Sequence, residues 1–204
     1  MSSALDGSSK GITFFQWMIL GTLTLTSTLY AMSMTIANIA LPQLQGALGA
    51  TQDQIAWTVT FNIIGTAIVT PMTGWLTLRF GQRRLMLCAI FGFATSSILC
   101  GQANALPELV IYRVFQGAFG GPLVPLSQAI ILGVFPRQLH SFATAVWGMG
   151  VVCGPIIGPT VGGYISEAYS WRWIFYIIAP FSLLAFLGAW FYVRNTTHNK
   201  LSKL

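Results

Sequence analysis

The sequence predicts an all-α membrane protein, a bundle of six transmembrane helices, and three observations carry that prediction. Charged residues are 7% of the 204 and hydrophobic ones 54%, against about 25% charged in soluble domains, so a globule in water could not cover its surface. Six apolar stretches approach the ~20 residues that cross a bilayer core; they lie near 15–40, 56–77, 85–104, 107–133, 142–164 and 173–193. The basic residues alternate with them. Lys10, Arg79, Arg83, Arg84, Arg137, Arg194, Lys200 and Lys203 gather on one side, and Arg172 stands with Asp53, Glu108 and Glu167 on the other. The positive-inside rule makes the first side cytoplasmic, and with it a tail of residues 1–14 and another of 194–204 around the bundle of 15–193.

Several function classes drop out. The net charge of +6 is small and dispersed, which suits membrane orientation rather than nucleic-acid binding. Cys88, Cys100 and Cys153 are odd in number, sit in apolar segments and lack metal spacing, so neither a disulfide framework nor a metal site is expected. His140 and His198 have no nucleophile or carboxylate pair beside them, and there is no phosphate loop; an enzyme and a bound cofactor are not expected. The apolar run from Phe14 to Ala40 is too long for a signal peptide and reads as the first span.

In chain order, the first two spans carry Asn38 and Asn62, expected to be buried and to hydrogen-bond between helices. A break from Leu78 to Arg84 leads to the third span; short connections make neighbouring helices antiparallel and packed together. The fourth span holds Arg113, about 9 Å in from Pro107 at 1.5 Å per residue. A charge at that depth costs upward of about 3 kcal/mol unless it finds a partner or water. It therefore turns into the bundle interior, the alternative being to snorkel outward near Glu108. Gly117 and Gly121 continue this span as a small-residue face, for packing or for lining a cavity, and Pro122 and Pro125 follow. After Val134–Ser141 the fifth span carries GVVCGPIIGPTVGG, with glycines at 150, 154, 158 and 162 and prolines at 155 and 159. In water each such glycine costs roughly 1 kcal/mol and each proline about 3. In a bilayer helix is nearly obligatory and small residues let a second helix approach. The longer breaks, Leu44–Ile55 and Tyr164–Arg172, are loops, with Trp171 and Trp173 at the end of the second as interfacial anchors.

Four of these stretches resemble the major facilitator superfamily. Gly74-Trp-Leu-Thr-Leu78-Arg79-Phe-Gly81-Gln-Arg83-Arg84 is similar to its GxxxDRxGRR loop between the second and third spans. Arg113-Val-Phe-Gln116-Gly117 is similar to its RxxQG motif, and Gly150–Gly163 to its antiporter motif GxxxGPxxGG. Thr35-Ile-Ala-Asn38-Ile-Ala-Leu-Pro42 resembles the TIxNxALP signature of the fourteen-span drug/proton antiporters, EmrB/QacA type, and Gly121-Pro-Leu-Val-Pro-Leu-Ser-Gln128 favours the EmrB branch. The match covers roughly 15–193, which implies the N-terminal six-span half of such a transporter.

The resemblance implies multidrug efflux across the inner membrane, in which hydrophobic or amphipathic small molecules leave in exchange for protons. It makes Arg113 the candidate coupling residue. Asn38, Asn62, Gln116 and Gln128 become substrate-cavity candidates. Gly74, Arg79, Gly81, Arg83 and Arg84 form the candidate gating loop, and Gly150, Gly154, Pro155, Gly158, Pro159, Gly162 and Gly163 the antiporter-motif helix. Implied partners are the lipid bilayer, a separate C-terminal half, a periplasmic adaptor and an outer-membrane channel. Two residues depart from the pattern: Ser33 stands where the family carries an acidic residue, and Leu78 replaces the loop aspartate. A serine does not titrate in the range a proton carrier needs. With the half-length chain, this leaves open an alternative, a truncated or split-gene membrane protein that is inert or acts only with a separate second half.

Overall fold

The computed structural model describes residues 12–193, all helical or connecting. The helices are α1 (Phe14–Ile39), α2 (Leu41–Leu48), α3 (Gln52–Phe80), α4 (Gln82–Gln102), α5 (Leu106–Gly120), α6 (Leu123–Val134), α7 (His140–Ala168), α8 (Trp173–Tyr176) and α9 (Ile178–Tyr192). Six units are long and apolar enough to cross a membrane: α1, α3, α4, α5 with α6, α7, and α8 with α9. The chain is a multi-pass membrane protein. The tails, with Lys10, Arg194, His198, Lys200 and Lys203, lie outside the described residues.

Local chemistry sets the helix ends. At α3, Thr51 Oγ1 accepts from the Gln54 N–H at 3.3 Å while the Thr51 N–H donates to Gln54 Oε1 at 3.0 Å, a reciprocal capping box. Between α3 and α4 only Gly81 intervenes, at φ 84°; a side chain there would be strained. Two of the expected loops are shorter than the sequence suggests. The first contains α2, because Pro42 suits an opening helical turn and Gly49 closes it at φ 61°. The second is shortened because α7 runs on to Ala168. The sixth span breaks at Ile177, since Pro180 lacks the N–H that would bond the carbonyl of Tyr176.

The apolar interior falls into two clusters. One contains Leu20, Leu23, Met86, Ile90, Phe93, Leu126 and Ala189; the other contains Ile36, Leu44, Ile55, Cys100, Leu109 and Phe175. Along α4, Ser97 falls between Phe93 of the first and Cys100 of the second. Along the fourth span, Arg113 and Gln116 fall between Leu109 and Leu123. A polar layer therefore separates the two clusters, and it is where the candidate site sits.

The main pairings are α1 with α7, α3 with α5, α4 with α5, α1 with α9, and α4 with α9. In span numbers these are first–fifth, second–fourth, third–fourth, first–sixth and third–sixth. Exchanging spans one to three for four to six maps this set onto itself. The two halves of the bundle are thus related as a three-plus-three repeat in packing, although no sequence repeat is visible.

Candidate functional site: an arginine layer between two parallel seams

Arg113 lies two turns into α5 and is 1% exposed. Its Nε donates to the Thr58 carbonyl of α3 at 3.2 Å, and its Nη1 donates to Gln116 Oε1 at 2.5 Å. Gln116 Nε2 donates to Ser97 Oγ of α4 at 2.8 Å, and Ser97 in turn donates to the Phe93 carbonyl at 2.8 Å. The guanidinium carbon stands 5.8 Å from the Phe175 ring centre of α8. Nη2 has no hydrogen-bond partner among the described residues. Glu108, on the same helix, accepts instead from the Asn104 backbone N–H at 3.0 Å. The arginine thus turns inward, and neutral dipoles and a ring rather than a carboxylate surround its charge.

Two seams of different chemistry flank this layer. On the α3–α5 side, Asn62 Nδ2 donates to the Arg113 carbonyl at 2.9 Å; Thr66 Oγ1 shares its proton between the Asn62 carbonyl at 3.1 Å and that of Gly117 at 3.2 Å, and Thr70 Oγ1, bonded to the Thr66 carbonyl at 2.8 Å, also lies 3.4 Å from that of Gly121. Each interhelical acceptor follows its donor by 51 residues, so the two helices run parallel in one fixed register. The backbones are close enough that a Cβ on Gly117 would fall on the Asn62 carbonyl, and one on Gly65 on that of Val114. The Gly117 and Gly121 face therefore packs on α3. The Tyr30 hydroxyl of α1 joins the same seam at 3.0 Å from Thr66 Oγ1.

The α1–α7 seam is made of small residues. A Cβ on Gly150 would collide with Thr24, and one on Gly162 with Ile36. On Gly154 it would stand 2.7 Å from the Thr28 carbonyl oxygen, and on Gly158 3.0 Å from Met32 Cγ. The offset is 126 residues at every step, again a parallel register. Pro155 is exposed and Pro159 half-buried, beside the contact rather than in it. Gly163 is roomier, with only Ile39 Cγ2 at 3.8 Å. One polar bond crosses lower down, from Trp147 Nε1 to Ser27 Oγ at 3.1 Å.

The remaining candidates are dispersed. Gln116 and Asn62 are buried, at 0% and 2% exposure. Asn38 is exposed near the end of α1, contrary to the expectation of a buried residue, because it lies on the open face while Ile36, Ala37 and Ala40 take the packed one; Gln128 is exposed on α6. Ser33 is buried and donates to the Tyr30 carbonyl at 2.8 Å. In the loop, Gly74 has open space around it. The Arg79 guanidinium carbon lies 5.4 Å from the Trp75 ring centre. Arg83 Nη2 donates to the Trp190 carbonyl at 2.7 Å, placing a cation on the C-terminal end of α9. Arg84 and Leu78 are exposed.

Sequence reasoning missed Thr58, Ser97, Thr66, Thr70 and Tyr30. The signal for three of them was present: Thr58, Asn62, Thr66 and Thr70 recur every four residues, one stripe of a helix. It also misplaced Trp171, which is 6% exposed, packed in the second apolar cluster rather than facing lipid. Trp171 also lies under Arg172, whose guanidinium carbon is 4.7 Å from its ring centre. Arg172 Nη1 donates to the Ala103 carbonyl at 3.2 Å and Nη2 to Asn104 Oδ1 at 3.3 Å. It closes the end of α4 opposite to the Arg83 contact. Among the described residues no group of three His, Cys, Asp or Glu could hold a metal ion.

Comparison with known proteins agrees with this geometry. The family model of the Major Facilitator Superfamily matches residues 23–204. The Multidrug export protein EmrB of Haemophilus influenzae is 44% identical over 168 residues, 82% of this chain and 33% of that protein. Fatty acid resistance protein FarB of Neisseria gonorrhoeae is 39% identical over 161 residues, 79% of this chain and 32% of that protein. The chain thus spans about a third of the length of these curated relatives. Among solved structures, the xylose transporter XylE from E. coli, partially occluded and inward open, has a TM-score of 0.80 at 19% identity, over 89% of this chain and 50% of that one. A bacterial homolog of the human lysosomal transporter Spinster gives 0.80 at 18% identity, over 91% of this chain and 46% of that one; both likenesses concern the fold. The chain belongs to the Major Facilitator Superfamily, and its curated relatives include multidrug export proteins of the EmrB type.

Proposed function

We propose that this chain is the N-terminal bundle of an export permease that moves hydrophobic or amphipathic small molecules out across the inner membrane, with both termini cytoplasmic. One observation carries the reading. The RxxQG-like motif and the two spans that pack around it converge on a single buried cation, Arg113, with one nitrogen unpartnered. A buried charge held by dipoles costs stability, so its presence points to work done during transport. Arg113 serves as the coupling residue, and the Asn62, Gln116 and Ser97 shell holds its position.

The proton-binding group is not in this bundle's first span, since Ser33 cannot supply it. That group belongs to a second bundle, with the substrate cavity between the two and Asn38 and Gln128 on exposed surface available to it. The relative named for fatty acid resistance supports amphipathic substrates, and the EmrB likeness supports a periplasmic adaptor and an outer-membrane channel as partners. Accumulation of a fluorescent hydrophobic compound tests the reading in cells with the chain alone and with the remaining spans of the Haemophilus relative co-expressed. Export is expected only in the second case. Equal accumulation with and without the pair would refute the transport assignment.

A further inference from the structure

We propose, on the reading of Arg113 as the coupling residue, that Arg172 is a positioning residue for it. By tying the start of α8 to the end of α4, Arg172 keeps the Phe175 ring over the Arg113 guanidinium and shuts this end of the bundle to water. A relay of two rings joins the two arginines. The Arg172 guanidinium carbon stands 4.7 Å from the Trp171 ring centre. Trp171 meets Phe175 edge-on, with 6.4 Å between ring centres, and Phe175 stands 5.8 Å from the Arg113 guanidinium carbon. Cations favour ring faces and rings favour edge-on pairs, so every step is attractive.

Phe175 needs to be held. Thr58, Ser97 and Gln116, which also surround Arg113, stand on long helices, whereas α8 is a single turn, Trp173–Tyr176. A turn of that length has no stability of its own, and it breaks from α9 at Ile177. Its position is set from outside, and Arg172 supplies the tie. The helix α4 ends at Gln102, where the last carbonyls lack partners within the helix. Arg172 Nη1 donates to the Gly101 carbonyl at 3.4 Å and to that of Ala103 at 3.2 Å, and Nη2 donates to Asn104 Oδ1 at 3.3 Å. A cation there also suits the helix dipole. Just inside this latch the helices touch, for a Cβ on Gly101 would stand 2.6 Å from Tyr176 Cε1. Next comes apolar packing. Cys100, at 0% exposure, belongs to the same cluster as Trp171, Ile174 and Phe175, between the latch and the arginine layer. Releasing Arg172 from α4 therefore frees the ring that covers Arg113.

Cys100 is a native reporter of that seal. With Cys88→Ser and Cys153→Ser, both at exposed positions, it is the only thiol left in the chain. The purified protein is treated with a charged, water-soluble maleimide below the melting temperature of each variant, and labelling is followed by intact mass. Cys100 should resist labelling while Arg172 is present and react at least tenfold faster in Arg172→Gln. Arg172→Lys should fall between, since an ammonium reaches the Ala103 carbonyl but lacks the fork. Trp171→Leu, which cuts the relay while sparing the bonds to α4, should also open Cys100. Arg83→Gln loosens the opposite end of the same helix pair and should change labelling less than twofold. Unchanged labelling in Arg172→Gln would overturn the proposal, as would an equal rise in Arg83→Gln, the mark of a merely structural tie. If Arg172→Gln yields no folded protein, Asn104→Ala decides: it removes one of the three bonds and should raise labelling about threefold, and no rise would overturn the latch. The labelling is independent of transport. Cys100 opened in Arg172→Gln with export at the wild-type rate, measured with the second bundle present, would instead overturn the coupling role of Arg113.

Discussion

Arg113 is costly to bury and yet fully buried, and that imbalance separates function from folding. Nothing acidic neutralises it, so replacing it with an apolar chain of similar length removes a desolvation cost rather than breaking an ion pair. Arg113→Met also leaves Gln116 Oε1 without its donor, a cost that offsets the relief, so it should melt close to wild type while export is lost. Arg113→Lys keeps the charge but not the fork that reaches both Thr58 and Gln116, and should export poorly. The shell answers differently. Ser97→Ala leaves Gln116 Nε2 without its acceptor, a loss of roughly 1–3 kcal/mol for a buried polar group, readable as a lower melting temperature in detergent. Arg113 itself was legible in the sequence, because a lone charge inside an apolar run is rare. Its direction was not, since snorkelling and burial differ only in what the neighbouring spans offer. Ser97 carries no signal of its own: serines in membrane helices commonly bond their own backbone, as Ser96 does with Gly92.

At the scale of helices, the two parallel seams are built on opposite principles. The α3–α5 seam is fixed by hydrogen bonds, and interhelical bonds of this kind contribute about 0.6–1.7 kcal/mol each. Thr66→Val should cost about that much, and with Tyr30 left unpartnered the loss belongs at the upper end in an unfolding titration. The α1–α7 glycine contacts have no such bonds and depend on backbone proximity. Gly154→Leu should lower the folded yield sharply, overpacking costing typically 1–3 kcal/mol or more. Gly163→Leu, one residue beyond the ladder with 3.8 Å of clearance, should be tolerated. Fluorescence size-exclusion chromatography of both variants checks the contrast; equal yields would contradict the seam. The glycine ladder was legible because glycine every four residues along an apolar span lays a groove on one helix face, and a second helix fills it. The threonine ladder was overlooked although its spacing is the same, because threonine is common in membrane helices and its partner carbonyls leave no trace in sequence.

For the molecule as a whole, six-span architecture and the alternation of basic ends followed from composition and length, which the bilayer constrains tightly. The three-plus-three relation emerged only from which helices touch, because packing symmetry survives when sequence similarity has decayed. Loop detail was the weakest part: α2 is too short to show a period, and Trp171 was assigned to the interface by residue type when it packs into the second apolar cluster beside Phe175. The bundle's own surface points to a partner. The spans α3 and α7 are the least buried, and α3 turns Trp57, Phe61, Ile64, Ile68 and Trp75 outward. On the proposed reading part of this surface meets a second bundle. Supplying that bundle in trans should then protect Cys153, exposed on α7, from a membrane-permeant maleimide; unchanged labelling in a complex that exports would place the interface elsewhere.

On the proposed function, Arg113 is held for transport and not for architecture. Export of a hydrophobic dye and thermal stability should be measured on the same preparations of wild type and Arg113→Met, each paired with the second bundle. The expected outcome is a variant that melts close to wild type and whose export falls to background. A folded variant that exports at the wild-type rate would contradict it.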